Sequence, residues 1–155
     1  LLRDTYPSLK FLLVGHEDIG SSDCVPRGYI EKYQAYENFN WIGFRQDVKE
    51  LYSISYLAVY PSYYREGGYP RGLTEPMAMG KPVIGTDSIH CSAAVENGVS
   101  GLLVPIKDPS ALAKAIEKIV TNEEFANNLG NNARKKMINE FDESMIIEKL
   151  IDKVV

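Results

Sequence analysis

The sequence predicts an α/β domain: a parallel sheet with helices on both faces, ending in a wholly helical segment. Three observations lead there. Short apolar runs rich in β-branched and aromatic residues recur along the chain; helix-compatible stretches separate them; and beyond the last run the apolar residues fall at helical spacing. With 155 residues, 45% of them hydrophobic and 25% charged, the chain suits one globular domain spanning residues 1–155.

Leu1 to Tyr6 reads as the last turn of a helix that stops before Pro7, because a proline pushes the residue ahead of it out of helical geometry. No initiator Met precedes it, so the expectation is a domain truncated at its N-terminus. Strands are expected at Lys10 to Val14, Phe39 to Ile42, Tyr56 to Tyr60, Pro82 to Ile84 and Gly101 to Val104. Helices are expected between them at Gly28 to Tyr36, Asp47 to Ser53, Leu73 to Met79 and Ser92 to Asn97. Asp108-Pro109 then offers a cap and a helix-compatible first residue, ahead of Ala111, Leu112, Ala115, Ile116, Ile119 and Val120 at helical spacing. Thr121 with Glu124 makes a capping box for a helix running toward Ile138. Asp142 caps a last helix, whose stripe of Ile147, Leu150, Ile151 and Val154 reads as core.

A net charge of −4, with acids and bases interleaved, argues against a nucleic-acid partner, which needs a basic face to neutralise phosphates. Cys24 and Cys91 lie far apart outside any Cys/His cluster, so neither a zinc site nor a disulfide framework is indicated, and a cytoplasmic location is the simpler reading. No apolar run approaches the roughly 20 residues that cross a bilayer.

In open parallel sheets ligands collect beyond the carboxyl ends of the strands. The stretch there that carries chemistry is Tyr63 to Pro82, a Gly- and Pro-rich loop followed by a short helix and a strand. Pro76 lacks an N–H, which is harmless in the first helical turn. That places Gly72 near the N-cap, with the amides of Leu73, Thr74 and Glu75 pointing out of the helix end, where the positive end of the macrodipole can hold a phosphate. Gly67, Gly68 and Gly72 permit close backbone approach. Glu66 and Glu75 bracket this cradle, and ionised carboxylates are natural acceptors for sugar and ribose hydroxyls. Ribose, two phosphates and a hexose are the layout of a nucleotide sugar.

The span from Glu66 to Glu75, followed by Met77-Ala78-Met79-Gly80-Lys81-Pro82-Val83-Ile84, resembles the two-glutamate signature of the family 4 (group 1) glycosyltransferases. The likeness extends through Tyr6 to Gly15, Trp41 to Val48, Val95 to Pro105 and Phe141-Asp142-Glu143. It implies a Rossmann-like sheet forming the C-terminal, donor-binding half of a two-domain GT-B fold. It also implies a retaining, metal-independent and cofactor-free hexosyltransferase of cell-envelope polysaccharide synthesis, moving sugar from a UDP- or GDP-linked donor to a glycan or lipid-linked acceptor. By the resemblance Glu66, the catalytic candidate, accepts from sugar hydroxyls, and Gly67, Gly68, Tyr69 and Pro70 line the sugar pocket. Arg71, Gly72, Leu73 and Thr74 face the diphosphate, Glu75 binds ribose, and Gly43, Phe44 and Arg45 lie by the base. The partner is an N-terminal acceptor domain that this chain lacks, along with the family's first strand and its diphosphate-clamping Arg and Lys. The full enzyme is expected in the cytoplasm, peripherally at the inner membrane face, with the isolated fragment inactive.

Glu66 and Glu75 stand nine positions apart, one more than the family's usual eight. Either the loop bulges with Glu66 in place, or Glu66 is displaced. Competing classes are a GT-B epimerase, which needs further charged groups at the sugar, a phosphorylase, which needs a pyridoxal-binding Lys, and a non-catalytic binding module. Tyr60, Tyr63, Tyr64 and Tyr69 read either as a sugar-stacking wall or as shields of the sheet edge. Arg65 and Arg71 read either as diphosphate contacts or as solvated salt bridges. His16 and His90 read as loop or cap residues.

Overall fold

The computed structural model describes residues 1–20, 24–64 and 68–154. Two compact units are present, Leu1–Val48 and Lys49–Val155.

The first unit opens on a single helical turn, in which the Tyr6 N–H donates to the Leu2 carbonyl at 2.8 Å. Strands β1 (Phe11–Leu13) and β2 (Phe39–Trp41) pair in parallel, with Phe11 opposite Phe39 and Leu13 opposite Trp41. The helix expected over Gly28 to Tyr36 divides into α1 (Arg27–Glu31) and a 3₁₀ turn, Lys32–Ala35. Tyrosine packing accompanies the tightening: side chains three apart eclipse in a 3₁₀ turn, and the Tyr33 ring lies 6.3 Å from that of Tyr36 and 6.1 Å from that of Phe39. The Trp41 indole N–H donates to the Gly15 carbonyl at 2.8 Å, tying the end of β2 to the exit of β1.

Helix α2 (Val48–Ile54), all but its first residue in the second unit, leads to a parallel sheet of β3 (Ala58–Tyr60), β4 (Val83–Thr86) and β5 (Leu102–Val104), in the order β3-β4-β5. Ala58 stands opposite Val83, and Ile84 opposite Leu102. All four residues of β4 are buried, as expected of a central strand covered on both faces. Helices α3 (Arg71–Ala78) and α4 (Ile89–Ala94) connect the strands, and α5 (Pro109–Val120), α6 (Glu123–Glu140) and α7 (Glu143–Val154) end the chain. The core joins Leu73 and Met77 of α3 to Val83 of β4, Cys91 and Ala94 of α4, and Ala133 and Met137 of α6.

Asp108 caps α5 as expected, its carboxylate accepting from the Ala111 N–H at 2.9 Å. The cap of α6 differs. Asn122 accepts from the Phe125 N–H at 2.9 Å, and Thr121 instead closes α5, its hydroxyl donating to the Glu117 carbonyl at 2.7 Å. A Thr side chain that bonds back into the preceding turn is no longer an acceptor for the next helix. Asp142 accepts from the Ser144 N–H at 3.0 Å at the start of α7. The α7 stripe departs from the core reading: Ile147 and Ile151 are 47% and 56% exposed, and the side chains of Leu150 and Val154 lie outside the described residues.

Candidate functional site

Helix α3 organises the site, and it begins two residues earlier than Pro76 suggested. Pro70, fully buried with φ −63° and ψ 119°, is its N-cap, and Arg71 is its first helical residue. The carbonyl of Pro70 accepts from both the Leu73 and Thr74 amides at 3.0 Å. Those two amides are therefore engaged within the helix, and the ones its geometry leaves open at the N-terminus are those of Arg71 and Gly72. Pro76 consequently sits inside the helix, where it removes the intrahelical donor to the Gly72 carbonyl. Its ring is buried beside Leu73 and Met77, so packing on the core face offsets the missing bond.

Gly72 has a structural reason of its own. A Cβ there would stand 2.5 Å from Cδ2 of Tyr60, so the helix start lies directly against the last residue of β3. Arg71 is exposed and has no ion-pair partner among the described residues. The C-terminus of α3 closes with a Schellman arrangement: the Gly80 N–H donates to Met77 at 2.9 Å and the Lys81 N–H to Pro76 at 2.9 Å, with Gly80 at φ 73°. The Lys81 ammonium then donates to the carbonyls of Ser53 and Ser55 at 2.9 and 2.8 Å, so Lys81 caps the end of α2.

Glu75 is exposed, one turn along α3 from Arg71. It shares a cleft of about 500 Å³ with Tyr69, Thr74, Arg134, Phe141 and Asp142. The rings of Tyr69 and Phe141 meet edge to face at 4.6 Å, and the Arg134 guanidinium donates to the Ala78 carbonyl at 2.5 Å. Tyr52 of α2 lies in the field of the same carboxylate: burial first, and the negative charge of Glu75 second, push its phenol above the ordinary tyrosine range. Arg134 and Tyr52 escaped the sequence reading because their neighbours along the chain carry no motif; only the packing of α6 and α2 brings them to α3.

Of the other expected site residues, Arg65, Glu66 and Gly67 lie outside the described residues. Gly68 and Tyr69 are exposed in the loop that leads into Pro70. In the first unit, Gly43 follows β2 with φ 71°, and its carbonyl accepts from the Gly15 N–H at 2.9 Å. Phe44 is 64% exposed and meets His16 edge to face at 5.7 Å. Arg45 pairs with Asp47 at 2.5 Å, which raises the guanidinium pKa and holds the Asp47 carboxyl below its ordinary value. Among the described residues no group of His, Cys, Asp and Glu is arranged to hold a metal ion, and no helix is long and apolar enough to cross a membrane.

Residues 1–136 match the family model described as glycosyl transferases group 1. The putative glycosyltransferase EpsD of Bacillus subtilis is 30% identical over 98% of this chain and 38% of its own length. The N,N'-diacetylbacillosaminyl-diphospho-undecaprenol alpha-1,3-N-acetylgalactosaminyltransferase of Campylobacter jejuni is 29% identical over 94% of this chain and 38% of its own length. The chain thus spans under two fifths of either relative. Among solved structures, Anabaena HepE in complex with UDP superposes with a TM-score of 0.85 at 24% identity, over 96% of this chain and 41% of that one. The parallel α/β architecture ending in helices is the fold shared with HepE, and the chain belongs to the group 1 glycosyltransferases as a C-terminal GT-B domain.

Proposed function

We propose that the chain forms the donor side of a retaining hexosyltransferase that uses a UDP- or GDP-linked sugar in cell-envelope polysaccharide synthesis. The observation that carries this reading is Arg71, a cation without an ion-pair partner among the described residues, at the open amide end of α3 and one turn from the exposed carboxylate of Glu75. The open amides of Arg71 and Gly72 and the Arg71 guanidinium hold the diphosphate, whose negative charge grows as it leaves, so the interaction strengthens toward the transition state. Glu75 accepts from the ribose hydroxyls. Glu66, Gly67, Gly68, Tyr69 and Pro70 receive the hexose, and Gly43, Phe44 and Arg45 keep the base role that the family resemblance gives them. Further support comes from the UDP complex of HepE and from the diphospho-undecaprenol acceptor in the name of the Campylobacter relative. The main acceptor-binding surface belongs to an N-terminal domain, so transfer is not expected from these residues alone, and a lipid-linked acceptor draws the enzyme to the inner membrane face.

Calorimetric titration of the full-length enzyme with UDP, GDP and their sugars tests the reading. Glu75→Gln is expected to weaken UDP binding by about 1.5–3 kcal/mol, the range for hydrogen bonds to a charged group, while leaving the affinity for the dideoxyribose analogue unchanged. A full-length enzyme that binds none of these nucleotides refutes it.

A further inference from the structure

At the carboxyl ends of β3, β4 and β5 the second unit carries an aromatic and cationic cluster that the donor site does not use. The rings of Tyr63 and Tyr64, 40% and 45% exposed, stack at 4.8 Å with 21° between their planes. The Lys107 ammonium rests over the Tyr63 ring, 4.5 Å from its centroid. Three sheet connections hold the group together. The buried Thr86 hydroxyl at the end of β4 donates to the Ser62 carbonyl, fixing the base of the tyrosine loop. The Asp87 N–H donates to Val104 at 2.7 Å, joining the β4 exit to β5. Asp108 directs its carboxylate to the Ala111 N–H, leaving Lys107 with no ion-pair partner among the described residues.

Lys107 is also the one non-glycine residue with a left-handed backbone among the described residues, at φ 58°. A lysine is not favoured in that conformation, and it stands directly ahead of α5, where the helix dipole disfavours a cation. Both costs fall on one exposed side chain, which among the described residues is held by its cation–π contact with Tyr63. Such a contact is weak at an exposed site, and an arriving anion can draw the ammonium away and uncover the Tyr63 face. Aromatic faces pack against the C–H faces of pyranose rings, and lysine is a point-charge binder of phosphate.

From this geometry we infer that Tyr63, Tyr64 and Lys107 form a subsite for a phosphorylated pyranose: the ring lies on the tyrosines, and Lys107 leaves Tyr63 to take the phosphate. The inference deepens the transferase reading and rests on it, because the reducing end of a lipid-linked acceptor has this chemistry, as does a free sugar phosphate.

The test titrates full-length enzyme, with UDP kept saturating so that the donor cradle is filled, and follows tyrosine ring resonances. The probes are N-acetylglucosamine 1-phosphate, its short-chain alkyl diphosphate ester, the methyl glycoside and inorganic phosphate. Both phosphorylated sugars are expected to shift the Tyr63 ring and to bind at least tenfold more tightly than the methyl glycoside or inorganic phosphate. A preference for the alkyl ester assigns the subsite to a lipid-linked acceptor, and equal affinity assigns it to sugar phosphates generally. Tyr63→Leu and Lys107→Gly should each weaken binding about tenfold, with UDP affinity unchanged. Lys107→Gly relieves the left-handed backbone while removing the ammonium, so a folding defect does not account for its loss. If inorganic phosphate binds as tightly as the sugar phosphates, or if neither substitution changes their affinity, the subsite is refuted. Failure of UDP to bind refutes the donor reading instead, and the sugar phosphate titration can still be read without it.

Discussion

A Cβ on Gly72 would meet the Tyr60 ring at 2.5 Å, so the glycine that looked like room for a phosphate is also demanded by the sheet beneath it. Both demands fall on one residue, and the sequence cannot separate them, because the β3 ring that fills the space lies twelve positions away. The carboxylate of Glu75 was legible from its place in the motif, whereas its neighbour Tyr52 was not. That neighbour makes Glu75 testable without any ligand. Burial and the Glu75 charge both favour the neutral phenol, so the folded protein holds the Tyr52 proton more tightly than the unfolded chain does. The resulting stabilisation is fully present below the ordinary tyrosine value of about 10 and is lost as pH rises through the raised folded value. Spectrophotometric titration of Glu75→Gln should show the Tyr52 transition moving part of the way back down, with the burial contribution remaining. An unmoved transition would mean that the Glu75 charge does not act on Tyr52. Tyr52→Phe should lessen the alkaline fall in stability.

Between elements, the tightest approach is that of α6 to the end of α3. A Cβ on Gly130 would stand 2.2 Å from the Gly80 carbonyl oxygen, which belongs to the backbone of the Schellman turn and cannot swing aside as a side chain would. Two effects of Gly130→Ala oppose each other. Helix propensity favours alanine by about 1 kcal/mol, whereas forcing a methyl against backbone in a close-packed contact costs about 1–3 kcal/mol or more. The clash wins, and thermal unfolding should show a lowered Tm; an equal or higher Tm would show that α6 can shift away freely. The same contact shows what the sequence disclosed about elements. Strands β1 to β5 and helices α5 and α6 announce themselves through local pattern, as in the all-apolar start of β4 and the Asp108-Pro109 entry to α5. The start of α3 is not legible from Pro76, because the missing donor alone points to the first helical turn. Its buried ring, which makes an interior proline tolerable, is a property of the packed helix. Thr121 misled for a related reason, since its hydroxyl can serve the helix on either side and the structure assigns it to α5.

On the scale of the whole molecule, burial is unevenly distributed. Every fully buried hydrophobic side chain among the described residues lies between Ala58 and Met137, inside the second unit. The first unit relies on β1 paired with β2, on the Trp41 bond to Gly15, and on the Tyr29, Tyr33, Tyr36 and Phe39 rings, while Leu12 and Leu13 of β1 remain 42% and 39% exposed. Burying one Val, Leu, Ile or Met side chain stabilises by about 1.5–3 kcal/mol. A difference of only two such side chains therefore separates local opening equilibria by about a hundredfold or more. Native-state hydrogen exchange on this chain should show the β4 amides of Val83 to Thr86 exchanging at least about a hundred times more slowly than the paired amides of β1 and β2, with proteolysis beginning before Val48. Comparable protection in the two units would mean that the first is stabilised by more than the contacts visible within it, and the uneven burial would then be a poor guide to where this domain first opens.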